Sequence, residues 1–168
     1  MDRSVEAFEE LYRTQGRRMK SIAFHMLGSV PDAEDAVQEA FLRAYRGWRD
    51  FRGQASFSTW AHRILLNACH DIGRLRQKRH EEPWEEDPIR APQVAAQDHP
   101  LRATLEKALS RLQPRQREVF LLFEVEGFKH REIAEILEIP EGTSKATLFE
   151  AKRELRALIA SAARPGTV

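Results

Sequence analysis

His130-Arg-Glu-Ile-Ala-Glu-Ile-Leu-Glu-Ile-Pro-Glu-Gly-Thr-Ser-Lys-Ala-Thr-Leu-Phe-Glu-Ala-Lys-Arg-Glu-Leu155 is the stretch that decides how this chain folds. Ile133, Ala134, Ile136 and Leu137 recur at helical steps. Ile139-Pro140-Glu141-Gly142 breaks the run, and Ala146, Leu148, Phe149, Ala151, Leu155 and Leu158 then start a second one. Two short helices joined by a tight turn make a helix-turn-helix. Such a pair needs a small residue at the crossing, here Ala134. It also needs an apolar residue in the turn, Ile139, and one on the second helix that docks on the first, Leu148. The second helix can then enter a DNA major groove, which is wide enough for it. Thr143, Ser144, Lys145, Thr147, Glu150 and Lys152 are expected to point outward there. Free N–H groups near Glu141 to Ser144 can grip a phosphate. An αα-hairpin also has uses that involve no DNA, so the pattern alone leaves both readings open.

Working upstream, Leu101, Leu105, Ala108, Leu109 and Leu112 share a helical face, and Pro114 opens a helix that Gly127 ends. Residues 81–100 contain Pro83, Pro88, Pro92 and Pro100 among acidic residues, so no long helix crosses them. They read as a linker between two small helical domains, 1–80 and 101–162, with 163–168 as a mobile tail. A long ordered loop within one domain is the alternative. In the first domain, Val5, Phe8, Leu11, Tyr12, Met19, Ile22, Ala23, Met26 and Leu27 follow helical steps. Ser29 with Asp32 forms a capping-box-like start, with Pro31 in the first turn. The helix that follows is expected to bury Ala33, Ala36, Val37, Ala40, Phe41, Ala44, Tyr45 and Trp48. A loop spans 49–58, and a third helix runs to about Arg79 with Trp60, Ile64, Leu65 and Ala68 inward. No segment sustains two-residue alternation, so the fold class is all-α.

Charge is distributed unevenly. Residues 1–80 carry 14 Lys/Arg against 10 Asp/Glu, residues 81–100 one against six, and residues 101–168 12 against 10. Two basic flanks around an acidic middle suggest two surfaces that meet a polyanion. The longest apolar run, Val119 to Phe123, is too short to span a bilayer. With no apolar signal core at the N-terminus, a cytoplasmic location is expected. A single cysteine, Cys69, excludes an intramolecular disulfide. The six histidines are scattered, and phosphate-loop, dinucleotide and nucleophile-elbow motifs are missing. Catalytic residues, a metal and a cofactor are therefore not expected; Cys69 reads as a core thiol and His62 as a packing or surface residue.

A second polyanion site is suggested by Arg74-Leu-Arg76-Gln-Lys78-Arg79 near the loop Phe51-Arg-Gly53-Gln-Ala-Ser56-Phe57. Cations beside aromatics suit an unpaired strand whose bases enter pockets or stack. A solvated basic helix end that complements the helix dipole accounts for the same residues.

Gly28-Ser-Val-Pro-Asp-Ala-Glu-Asp-Ala-Val-Gln-Glu-Ala-Phe41 and Phe51-Arg-Gly-Gln-Ala-Ser-Phe-Ser-Thr-Trp60, followed by Arg63, Ile64 and Asn67, resemble the second conserved region of sigma-70-type factors. Leu112-Gln-Pro-Arg-Gln-Arg-Glu-Val-Phe120 and Arg131-Glu-Ile-Ala-Glu-Ile-Leu137 resemble the fourth. Two regions in this order, with a short linker, resemble the extracytoplasmic-function group. The resemblance implies that Asp35, Gln38, Glu39 and Arg43 dock on core RNA polymerase. It implies that Phe51, Gly53, Ser56, Ile64 and Asn67 hold the −10 element of promoter DNA, with Arg63, Arg74, Arg76, Lys78 and Arg79 on its backbone. Thr143, Ser144, Lys145, Thr147, Phe149 and Lys152 would serve the −35 element, the acidic linker would thread toward the RNA exit channel, and an anti-sigma factor is an expected partner. Lys129, Glu138, Ser144 and Glu150 depart from the family pattern, which has a capping hydroxyl, a glycine, a small apolar residue and a basic residue at these places. With Glu138 there, the turn should be strained or use different dihedrals. Two other classes remain to be weighed: a helix-turn-helix regulator acting on duplex DNA without polymerase, and a helical adaptor that binds only protein.

Overall fold

The computed structural model describes residues 5–81 and 100–162. The linker expectation for 82–99 and the tail expectation for 163–168 lie outside the described residues. The described residues form seven α-helices and no strand: α1 Val5–Leu27, α2 Val30–Gly47, α3 Phe57–Glu81, α4 Pro100–Arg111, α5 Pro114–Phe120, α6 His130–Leu137 and α7 Glu141–Ala162. They fall into two compact units, α1 to α3 and α4 to α7.

In the first unit the three helices pack on one another. Ser29, extended at φ −140° and ψ 126°, starts α2 by accepting the Asp32 N–H on its hydroxyl at 3.4 Å. Ala33, Ala36, Ala40 and Ala44 are all buried on α2, and their small side chains let α1 and α3 approach closely. Met19 and Ile22 of α1 and Leu65 and Leu66 of α3 close the core. Each such aliphatic side chain contributes about 1.5–3 kcal/mol by leaving water. Cys69 is buried, and so is His62, whose Nδ1 lies 2.8 Å from the Ser58 carbonyl. Burial lowers the His62 pKa to about 4, against the pull of that carbonyl, and Arg18 pushes the same way as burial. The histidine is therefore a neutral packing group at pH 7.

One expectation about burial is corrected. Tyr45 is 51% exposed, because the α2 stripe turns away from it once Phe41, Ala44 and Trp48 have filled the core. Val5 and Tyr12 follow the α1 periodicity but also lie half in solvent.

In the second unit α7 is the axis on which α4, α5 and α6 pack. Arg117 of α5 closes the C-terminus of α4, donating to the carbonyls of Leu109 and Ser110 at 2.8 Å and of Leu112 at 3.1 Å. The helix from Pro114 is not uniform. It widens into a π-helical turn over Leu121–Val125, where the Glu126 N–H donates to the Leu121 carbonyl at 3.0 Å. Gly127, at φ +74°, then ends it.

Candidate nucleic-acid and polymerase interfaces

α6 and α7 are joined by Glu138, Ile139 and Pro140. Ile133, Ile136 and Leu137 of α6 and Leu148, Ala151 and Leu155 of α7 are buried. Glu138 holds the left-handed conformation, φ 55° and ψ 47°, that glycine adopts freely. The turn thus keeps the dihedrals a glycine would have and bears the strain of a β-carbon. Lys129 has no acceptor with which to cap α6. Its backbone N–H instead donates to the Glu132 carboxylate at 2.8 Å, half of a capping box.

Ser144 requires a correction. Expected to face DNA, it is fully buried and shares a 2.9 Å hydrogen bond with His130 Nδ1. The reason is spacing: Ser144, Leu148, Ala151 and Leu155 lie four, three and four residues apart and form the inward stripe of α7. The hydroxyl is accommodated there because His130 meets it. Lys152 is likewise committed within the fold. It pairs with Glu124 and lies over the Phe123 ring, 5.8 Å from its centre. Thr147 is half-buried, Thr143 is exposed, and Lys145 pairs with Glu141 at 3.0 Å, which holds the Glu141 carboxyl below its ordinary pKa. Phe149 is 68% exposed.

The face opposite the inward stripe is made of Ala146, Phe149, Glu150 and Arg153, all exposed. Ala146 and Arg153 were missed by the sequence reading. The signal was available, since the positions of Leu148 and Leu155 fix the inward side and hence its opposite.

In the first unit, Trp48, Phe51, Phe57 and Trp60 form an aromatic cluster. Phe51 stacks on Trp48 at 6.0 Å and lies 4.7 Å from Trp60. This cluster anchors one end of the loop, and Gly53 at its tip has φ +70°. At the other end the Ser56 hydroxyl accepts the Thr59 N–H at 3.1 Å and meets the Thr59 hydroxyl at 2.9 Å, so it starts α3. Along α3, Arg63, Asn67, Arg74 and Lys78 are exposed and separated by multiples of a helical step, so they share one face. Ile64 flanks that face half-buried, and Arg79 is exposed to its side. Arg76 is off the face. Its guanidinium donates to the Leu27 carbonyl at 2.7 Å and to Asp32 at 3.4 Å, tying α3 to the end of α1 and the start of α2. The expectation that it lies along DNA is corrected to an internal tie.

On α2, Asp35 and Gln38 are exposed. Glu39 and Arg43 pair at 2.7 Å, and Arg43 also reaches Asp71 of α3 at 2.9 Å. These carboxylates raise the Arg43 pKa, Glu39 most strongly. Asp71 also binds Arg74, so one chain of charges joins α2 to the basic face of α3. Sequence reasoning missed the apolar part of this surface. Leu42 and Tyr45, about half exposed, line a groove of about 500 Å³ with Val5, Phe8, Tyr12, Gln38 and Phe41.

Residues 11–81 match the family described as Sigma-70 region 2, and residues 102–155 the one described as Sigma-70, region 4. The chain is 35% identical over 154 residues to the ECF RNA polymerase sigma factor SigM of Mycobacterium tuberculosis, covering 91% of this chain and 77% of that one. It is 29% identical to the ECF RNA polymerase sigma factor SigW of Bacillus subtilis, over 90% of this chain and 88% of the relative. Among solved structures, the sigma factor RpoE of Bartonella quintana, in complex with the anti-sigma factor NepR, has a similar fold. It has a TM-score of 0.77 at 24% identity, covering 93% of this chain and 98% of that one. The chain belongs to the extracytoplasmic-function sigma factors of the sigma-70 family.

Proposed function

We propose that this chain binds core RNA polymerase and directs it to promoters, with the first unit serving polymerase and the −10 element and the second the −35 element. The observation that carries the reading is the pairing, in one chain, of a helix-turn-helix with a three-helix unit that carries two separate exposed faces. A duplex-DNA regulator needs neither the half-apolar face of α2 nor the anchored loop 51–57. Asp35, Gln38 and the Leu42–Tyr45 groove form the polymerase face; Glu39 and Arg43 border it as a pair. Arg63, Asn67, Arg74 and Lys78 line the path of the opened −10 strand beside Ile64 and the loop, with Arg79 at the edge. α7 enters the major groove at −35, with Thr143 and Lys145 toward its phosphate walls. Polymerase carries out the chemistry, and this chain supplies recognition and strand opening; no residue of it is assigned a catalytic role. Among the described residues no helix is long and apolar enough to cross a membrane. An anti-sigma partner is supported by the fold neighbour solved with one.

Run-off transcription with bacterial core polymerase on a randomised promoter library tests this. Transcripts that depend on the chain and share −10 and −35 elements are expected. If none appear while the chain alone shifts duplex DNA, the duplex-binding regulator is the correct reading.

A further inference from the structure

The outward face of α7 has an unusual chemistry for a surface meeting DNA. Its centre is Ala146 and Phe149, which are apolar, beside Glu150, which is acidic; the basic Arg153 lies one turn further on. Neither Phe149 nor Glu150 is committed elsewhere. The ring is 68% exposed, and the carboxylate makes no ion pair among the described residues. Two of the polar residues that would be the obvious readers are committed within the fold, Ser144 to His130 and Lys152 to Glu124, while Lys145 pairs at the surface with Glu141.

Chemistry limits what such a face can read. In the major groove, alanine and phenylalanine gain from the thymine methyl group, and a carboxylate accepts from the cytosine amino group. Guanine presents two acceptors there and repels a carboxylate. Adenine places an acceptor beside its amino donor and is disfavoured for the same reason. An acid in a field of phosphates persists at low cost only where it receives such a hydrogen bond. Ala146 also has no side chain to hold the helix off the bases, which brings Phe149 and Glu150 within reach of them.

We propose that Phe149 and Glu150 determine this chain's −35 specificity, Phe149 with Ala146 selecting thymine methyl groups and Glu150 selecting a cytosine at a neighbouring base pair. This rests on the reading of α7 as the −35 helix. Arg153 holds the phosphate beyond them.

The test is promoter selection from a library randomised at −35, with core polymerase and the full chain as wild type, Glu150→Arg, Glu150→Gln and Phe149→Ala. Both sites are exposed, and circular dichroism verifies that each of the three variants keeps its fold. Wild type should enrich cytosine at one position and thymine beside it. Glu150→Gln should relax the cytosine preference and Glu150→Arg should convert it to guanine. Phe149→Ala should relax only the thymine. Each preference should change about five- to 150-fold, the discrimination of one good base contact. Preferences that survive in all three variants, with binding weakened equally on every sequence, would overturn the assignment. A wild-type chain that enriches no −35 element at all would overturn instead the reading on which it rests.

Discussion

Two residues on the helix-turn-helix show how a single side chain can work against or for its backbone. Glu138 holds a left-handed conformation that costs a residue with a β-carbon about 1–2 kcal/mol. Glu138→Gly should therefore stabilise the second unit by about 1 kcal/mol, seen as a higher urea midpoint at unchanged slope. Ser144 works the other way, through its hydroxyl. Ser144→Ala should cost about 1 kcal/mol by leaving His130 Nδ1 without that partner. It should leave the salt dependence of DNA binding unchanged, since a buried hydroxyl touches no phosphate; a shallower slope in a salt titration would return Ser144 to the interface. Residue identity was enough to single out Glu138. It was not enough for Ser144, because hydroxyl chemistry suits both a DNA contact and a buried partner; its spacing to Leu148 and Ala151 sets it on the inward stripe, where His130 meets it.

At the scale of an element, α3 separates cations that look alike in sequence. Arg74, Arg76, Lys78 and Arg79 form one cluster along the chain, yet the helix sends Arg76 inward to Leu27 and Asp32 and leaves Lys78 outside. Lys78→Ala should lower the slope of log affinity against log salt for holoenzyme on promoter DNA by about 1, with stability unchanged. Arg76→Ala should leave that slope alone and cost about 1.5–3 kcal/mol in urea unfolding, the range for hydrogen bonds to a charged group. On α2, Leu42→Ala combined with Tyr45→Ala should weaken binding to core polymerase at least tenfold in a pull-down titration, because both side chains stand about half in solvent beside the groove. Helix boundaries and the Ser29 start were legible in the sequence, since they depend on local capping and periodicity. Which stretch of an amphipathic stripe is covered was not. Tyr45 fits the buried period of α2 as well as Ala44 does, but Ala44 is fully covered while Phe8 of α1 meets Tyr45 on one side only.

For the molecule as a whole, His62 sets an acid limit on the first unit. It is neutral when folded, with a pKa of about 4, and takes up a proton near pH 6.5 when unfolded. Between those values the unfolded chain binds more protons, so stability is complete above pH 6.5 and falls as the pH falls toward 4. Urea unfolding followed by tryptophan fluorescence should show a loss of about 2 kcal/mol between pH 7 and pH 5. His62→Asn, whatever its cost at pH 7, should remove most of that slope. Asp71, which Arg43 and then Arg74 hold below the usual carboxylate range, loses its contribution only as pH falls through that range. The sequence by itself determined the helical class and the two short helices about a tight turn, which follow from spacing along the chain, and its motifs carried the resemblance to two sigma regions in order. Only the tertiary structure decided that Ser144, Arg76 and Lys152 are occupied within the fold, and that Leu42 and Tyr45 stand half in solvent. A side chain's availability depends on which distant residue packs against it, and periodicity cannot say which of two candidate faces a neighbouring helix will cover.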